Sequence, residues 1–180
     1  VEEEAFSFPD DVEEKDAFIV FSKKSVLNIA ARLEERGIKS SVIYGSLPPE
    51  IRRRQMNMFN SGETKVVVST DAIGMGLNLP VRRIVFLEMD KFDGNERRPL
   101  LLPEIKQIAG RAGRYGLYDT GYVTAHGKNN LNYIKRMWDQ KEENIETVSL
   151  GFPQILLDMD APLDEIIKLW HESTPSEPFC

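Results

Sequence analysis

Short runs of consecutive apolar residues alternate along this chain with stretches in which apolar positions recur every three or four residues. The first run, residues 17–21 (Ala-Phe-Ile-Val-Phe), has no polar interruption, the pattern of a strand buried on both faces. Val26, Ile29, Ala30 and Leu33 follow at i, i+3, i+4 and i+7, and Gly37 closes that helical pattern. A second unit repeats the scheme, with residues 41–44 as strand, Gly45-Ser46 as turn, and a helix opened by Ser46, Pro48 and Pro49 that runs to about Phe59. Asn60-Ser61-Gly62 breaks the chain, and residues 65–69 form its most strand-like run. Further strands are expected over 83–87, after Pro80, and over 120–124. Between them the polar, proline-containing stretch 90–103 shows no period and reads as a long loop leading into a helix around Gln107. Strands and helices alternating at this spacing predict an α/β fold, a parallel sheet with helices on both faces, whose function collects at the carboxyl ends of the strands.

Beyond residue 128 only the helical period remains. Leu131, Ile134 and Met137 share one face, Gly151-Phe152-Pro153 punctuates, and a last amphipathic stretch carries Ile166, Ile167, Leu169 and Trp170. The expected organisation is an arm over 1–16, one α/β domain over 17–128, and a helical extension with a frayed tail over 129–180. Charge sharpens the first boundary. Residues 1–16 hold eight acids against Lys15, a balance of −7, whereas the rest, with 22 bases and 21 acids, carries +1. The overall charge of −6 therefore belongs to the leading segment, expected to be a solvated linker, and any nucleic-acid contact should be a local groove on a neutral body. Cys180 is the one cysteine, so the chain has no disulfide framework and no cysteine metal site. No apolar run approaches the roughly 20 residues of a membrane span, so no membrane partner is expected. The opening Val1 reads as the start of a piece of something longer.

Candidate chemistry gathers at the strand ends. In Gln107-Ile108-Ala109-Gly110-Arg111-Ala112-Gly113-Arg114, a continuous helix would place Gln107, Arg111 and Arg114 on one stripe. Gly110 and Gly113 each cost such a helix about 1 kcal/mol relative to alanine, which asks for a compensating role. Guanidinium groups suit the charge on a transferring phosphoryl group. Ser22-Lys23 after the first strand and Thr70-Asp71 after the third offer hydroxyls, a cation and free N–H groups to a phosphate backbone, although serine is also a common helix N-cap. The stretch 70–80 adds Gly74, Gly76 and Asn78, whose small size and amide suit close approach to a ligand. Arg52, Arg53 and Arg54 read as a solvated face, and His126 and His171 as surface or edge residues without ligand-spaced neighbours. Asp164-Glu165 opens a helix after Pro162 and is better placed to complement its dipole than to bind magnesium. No Gly-x-x-x-x-Gly-Lys-Ser/Thr loop occurs, and no metal site is expected in the chain.

Residues 69–78 (Ser-Thr-Asp-Ala-Ile-Gly-Met-Gly-Leu-Asn), followed some thirty residues later by 107–114, resemble motifs V and VI of superfamily 2 helicases. Phe21-Ser22-Lys23-Lys24 resembles motif IV of the DExH branch. The segment 42–49 and the Gly-Met-Gly-Leu-Asn run resemble those of the RNA helicase of the mitochondrial degradosome and its bacterial relatives. The likeness covers about 17–127 and implies the second RecA-like domain of such an enzyme. It implies ATP with Mg2+, held mainly by a first RecA-like domain of the same polypeptide. In that reading Arg111 and Arg114 reach the ATP phosphates, Arg114 as the finger, and Gln107 positions nucleotide or attacking water. Gly76 and Asn78 lie near the ribose. Ser22, Lys23, Thr70 and, through its main chain, Gly45 hold an RNA backbone, and Asp71 orders the loop joining the RNA side to the ATP side. A ribonuclease is the further partner implied, and the setting is a bacterial cytoplasm or, alternatively, the mitochondrial matrix. The competing readings are an ATP-independent RNA- or protein-binding module of the same fold, and half of a DNA translocase.

Overall fold

The computed structural model describes residues 1–74, 77–113, 118–140 and 161–172. The chain divides into two compact units, Val1–Gln140 and Lys141–Cys180. In the first, strands β1 (Asp16–Ile19), β2 (Ser40–Ile43), β3 (Val66–Ser69), β4 (Arg83–Phe86) and β7 (Tyr122–Ala125) form one sheet in the order β2-β3-β1-β4-β7. Every pairing in it is parallel. A separate antiparallel pair, β5 (Asp90–Phe92) and β6 (Arg97–Pro99), stands outside it. The helices are α1 (Lys23–Glu34), α2 (Pro49–Ser61), α3 (Leu102–Ala109) and α4 (Lys128–Trp138), with a 3-10 turn over Asp71–Gly74. In the second unit the described helix is α5 (Leu163–Glu172), with Asp164 and Glu165 in its first turn as the sequence predicts. Among the described residues no helix is long and apolar enough to cross a membrane.

Alternation along the central strands explains how the sheet is covered. Ala17, Ile19, Val67, Ile84 and Phe86 face one side, where Phe59 of α2, Ile105 and Ile108 of α3, and Leu131 and Ile134 of α4 pack on them. Phe18, Val20, Val66, Val68 and Val85 face the other side, with Val26 and Leu33 of α1. One helix is too narrow to cover that face. Phe6 and Phe8, 4% and 8% exposed, complete it. Their rings meet Phe18 at centroid distances of 5.8 and 5.5 Å.

Residues 1–16 are therefore not the solvated arm expected from their charge. The main chain adds to the sheet edge, Glu2 N–H donating to Val123 O (2.8 Å) and Phe6 N–H to Ala125 O (3.0 Å). Asp16, 1% exposed, accepts a bidentate pair from Arg83, Nε at 2.9 Å and Nη2 at 2.8 Å. The same guanidinium donates to Asp11 O (2.8 Å) and lies over the Phe6 ring (5.0 Å). Apart from Asp16, the acids lie at or near the surface while two aromatic rings face in, an arrangement that net charge conceals.

Two further expectations change. The stretch 90–103 is a hairpin followed by the first residues of α3, not a loop. Asp93 makes its turn by accepting from Asn95 N–H (3.0 Å) and Glu96 N–H (3.1 Å), and Gly94 sits at φ +111°. The motif around Gln107 is not one helix either. α3 stops at Ala109, Gly110 caps it, and Gly113 takes φ +71°. Helix α4, expected in an extension beginning at 129, lies inside the first unit with Leu131 and Ile134 in its core.

Candidate functional site

Register brings the predicted groups to one end of the sheet. Ile43, Ser69, Ile19 and Phe86 stand side by side as the last residues of β2, β3, β1 and β4. Gly45, Thr70 and Ser22 follow within three positions, on three adjacent strands. Ser22 caps α1, its Oγ accepting from Ser25 N–H at 2.9 Å, and Lys23 Nζ lies 5.4 Å from the Tyr44 ring centre. Both are exposed. Thr70 is 8% exposed; its N–H donates to Ile43 O (3.1 Å) and its hydroxyl oxygen accepts from Ala72 N–H (3.3 Å). Among the described residues nothing lies within 4 Å of a Cβ placed on Gly45, so its main chain faces open space. The Gly45 carbonyl accepts from Arg52 at 2.9 Å, and Arg52 reaches Leu47 O at 3.4 Å. Arg52 is thus a half-buried brace for this loop, a correction to the solvated face expected of it. Arg53 and Arg54 are exposed.

A second cluster forms where the Asp71–Gly74 turn meets α3. Ile73 is buried there, as are Ile108 and Ala109. Gln107 is exposed and lies across Gly74, its Cγ 3.4 Å from where a Cβ would stand. Arg111 donates through Nη2 to Gly74 O, while its buried Nε–H finds no acceptor among the described residues. Asn78 is exposed. Gly76 and Arg114 lie outside the described residues. The structure therefore brings Gln107 and Arg111 together over Gly74, although the helical stripe that predicted their meeting ends before Arg111. Amide and guanidinium groups gathered over Gly74 suit an anionic ligand such as a phosphate. Among the described residues no group of three or more His, Cys, Asp or Glu could hold a metal.

Sequence reasoning missed the groups that hold these parts in place. Glu88, just past β4, accepts from Phe21 N–H (2.9 Å) and Ser25 Oγ (2.7 Å), fixing the turn that presents Ser22 and Lys23. Lys91 of β5 bridges Asp71 and Glu104, both at 3.1 Å. Arg98 of β6 grips Glu104 with two guanidinium nitrogens (2.9 and 3.1 Å) and Asp93 with a third (3.0 Å). Partial burial pushes the Glu104 carboxyl up, but Arg98, the Leu101 N–H and Lys91 outweigh it and hold its pKa down at about 2. An acid three residues past the start of a helix, with two basic residues upstream, was the available signal. The period-free reading of 90–103 hid it.

Parallel strands with the polar groups collected at their carboxyl ends define a RecA-like α/β domain, and the fold is shared with the C-terminal domain of the DEAD-box protein Dbp5 (TM-score 0.57, 23% identity, 73% of each chain). Residues 4–116 match the helicase conserved C-terminal domain, and the chain belongs to that family. It is similar to the mitochondrial ATP-dependent RNA helicase SUV3 of Candida albicans, with 47% identity over 123 residues, 66% of this chain and 17% of that protein. It is also similar to SUV3 of Oryza sativa subsp. japonica, with 44% identity over 142 residues, 77% of this chain and 24% of that protein. The chain thus spans about a fifth of the length of these relatives.

Proposed function

We propose that this chain is the second motor domain of an ATP-dependent RNA helicase, supplying an arginine finger and half of an RNA-backbone groove. The observation that carries this reading is the short path between the two clusters. Thr70, on the open strand-end side, and Gly74, under Gln107 and Arg111, are separated by one buried 3-10 turn. Displacement of one end must move the other, because a packed turn has no slack. Asp71 heads that turn and is tied through Lys91 to α3.

ATP with Mg2+, bound mainly by a first RecA-like domain of the same polypeptide, supplies the phosphoanhydride bond whose hydrolysis drives the motor. Arg111, held by Gly74 O, neutralises phosphate charge; Arg114 is assigned the finger. Gln107 orients nucleotide or water, and Gly76 and Asn78 lie by the ribose. Ser22, Lys23, Thr70 and the Gly45 main chain hold RNA phosphates, positioning the strand without reading its sequence. RNA, the first domain and a ribonuclease are the partners proposed. The two relatives named above are both called mitochondrial, which favours the mitochondrial matrix over a bacterial cytoplasm.

The test is ATP hydrolysis by the full-length protein with and without single-stranded RNA. RNA stimulation is expected, with losses on the order of 10³-fold for Arg114→Ala and a large loss for Arg111→Ala. The isolated chain is expected to hydrolyse no ATP. Hydrolysis indifferent to RNA and to both arginines would refute the reading.

A further inference from the structure

The two hydroxyls at the strand ends offer a ligand opposite things. Thr70 takes the Ala72 N–H on its oxygen, and among the described residues its own proton has no acceptor, so it can donate to a phosphate. Ser22 is different. Its oxygen accepts from Ser25 N–H at 2.9 Å and also lies 2.9 Å from the Ser25 hydroxyl. That hydroxyl in turn lies 2.7 Å from Glu88 Oε1. A hydroxyl has one proton to give and a carboxylate has none. The Ser25 proton therefore goes to Glu88, and the link between the two serines is made by the Ser22 proton. The charge at the Glu88 end fixes this direction along the chain of bonds. Glu88 is itself anchored, its other oxygen accepting from Phe21 N–H at 2.9 Å. What the exposed Ser22 side chain presents outward is thus a lone pair without a proton.

That polarity is wrong for a phosphate. Phosphate and ring oxygens only accept, and an acceptor set beside them is repelled. The ribose 2′-hydroxyl is the one donor on a nucleic-acid backbone, and DNA lacks it. It stands on the carbon next to the one that bears the 3′ phosphate, so a residue holding the phosphate through its main chain has the hydroxyl within side-chain reach. Ser22 has that main-chain group, since among the described residues its N–H has no acceptor. One residue can therefore take the phosphate on its N–H and the sugar on its Oγ.

We propose that Glu88, acting through Ser25, sets Ser22 Oγ to accept from a ribose 2′-hydroxyl, and so selects RNA over DNA at this point of the groove. The inference rests on the RNA-motor reading above and adds a discrimination that phosphate contacts alone do not contain. Glu88 touches no RNA and is a positioning residue.

The experiment compares binding of three fluorescent uridylate strands of about 12 nucleotides to the full-length protein. They are the ribo strand, the 2′-deoxy strand, and a 2′-fluoro strand that keeps the RNA sugar shape without a 2′ donor. Glu88→Gln keeps the side-chain shape and reverses the relay. Its amide oxygen takes Phe21 N–H, its amide N–H donates to Ser25, Ser25 donates to Ser22, and the Ser22 proton is released outward. The preference for the ribo strand over both others is expected to fall roughly 2- to 13-fold, the range for one hydrogen bond. Ser25→Ala cuts the relay with Glu88 in place and is expected to lower the same ratio. A merely disturbed turn would weaken all three strands alike and leave the ratio unmoved, and urea unfolding curves check the fold. A ratio that both variants leave unchanged, or equal binding of the ribo and 2′-fluoro strands by wild type, would overturn the relay alone. Failure of the wild-type protein to bind the ribo strand would overturn the motor reading and the relay with it.

Discussion

Gly113→Ala should cost this domain far more stability than a glycine in the same backbone conformation elsewhere, because two glycines touch back to back beside the arginine motif. Gly113 has φ +71°, and a Cβ there would stand 2.5 Å from Gly121 N and 2.6 Å from Gly121 Cα. The Gly113 N–H is committed to Val81 O at 3.0 Å, so the residue cannot simply retreat. Gly121 has the reciprocal problem, with a Cβ 2.5 Å from the Ala112 carbonyl carbon. Since carbon contacts are optimal near 3.5 to 4.0 Å, one backbone must move by about 1 Å. The left-handed conformation costs alanine about 1–2 kcal/mol and overpacking a further 1–3 kcal/mol, while the stiffer unfolded chain returns about 0.4–1 kcal/mol. A net loss of about 1–4.6 kcal/mol follows.

Gly62 supplies the control. It has φ +80°, and nothing lies within 4 Å of its Cβ position. Gly62→Ala carries the conformational cost without the clash, a net loss of about 0–1.6 kcal/mol. Urea unfolding of the two variants, with thermal midpoints read by circular dichroism, separates the contributions. At about 2–4 °C per kcal/mol, Gly113→Ala should melt roughly 2–18 °C below wild type. Equal losses for the two variants, within about 0.5 kcal/mol, would show that the close approach of Gly113 to Gly121 is absent.

Two other outcomes follow from contacts at the edges of the domain. Glu104 has its pKa lowered from 4.5 to about 2, so its contribution is present above the unfolded value and is lost as pH falls through the window from about 4.5 to about 2. The full shift would correspond to roughly 3 kcal/mol, which solvent at this partly exposed site screens to about 1 kcal/mol, and Glu104→Gln should flatten the acid limb of a urea midpoint against pH curve; an unchanged limb would refute the ion-pair account. Phe6→Ala should destabilise the domain by about 3 kcal/mol in urea unfolding, as truncating a core aromatic does. A loss below about 0.5 kcal/mol would restore the solvated arm.

What was legible in the sequence divides along physical lines. Unbroken apolar runs name the central strands because a parallel strand is buried on both faces, and β1 and β3 contain no solvent-facing residue. For the Gln107-to-Arg114 motif the sequence pattern predicts that Gln107, Arg111 and Arg114 meet on a helical stripe, and Arg114 lies outside the described residues. Gln107 and Arg111 do converge, through the turn that follows α3 at Gly110 and not through a helical stripe. The hairpin was illegible because its inward residues are Lys91 and Arg98. A ribbon held by ion pairs shows no hydrophobic period, and its partners Asp71 and Glu104 lie up to twenty residues away in sequence. The arm was misread for the opposite reason: charge dominates its composition, whereas Phe6 and Phe8 decide its place.

These misreadings bear on how the domain could work. Hydrophobic patterning reports the sheet, which stays fixed; the parts that join the strand ends to Gln107 and Arg111 are polar and short. The Asp71–Gly74 turn is buried through Ala72 and Ile73, and its first residue is tied to α3 through Lys91. If RNA at Thr70 and Ser22 is to alter the arginine cluster, the movement has two available routes, the turn itself and the Asp71–Lys91–Glu104 bridge. The first is apolar packing and resists small displacement; the second is a half-exposed set of ion pairs, which can be remade at low cost. On the proposed reading, a domain that responds to RNA in each cycle and returns unchanged is better served by a stiff turn with a yielding brace than by either alone.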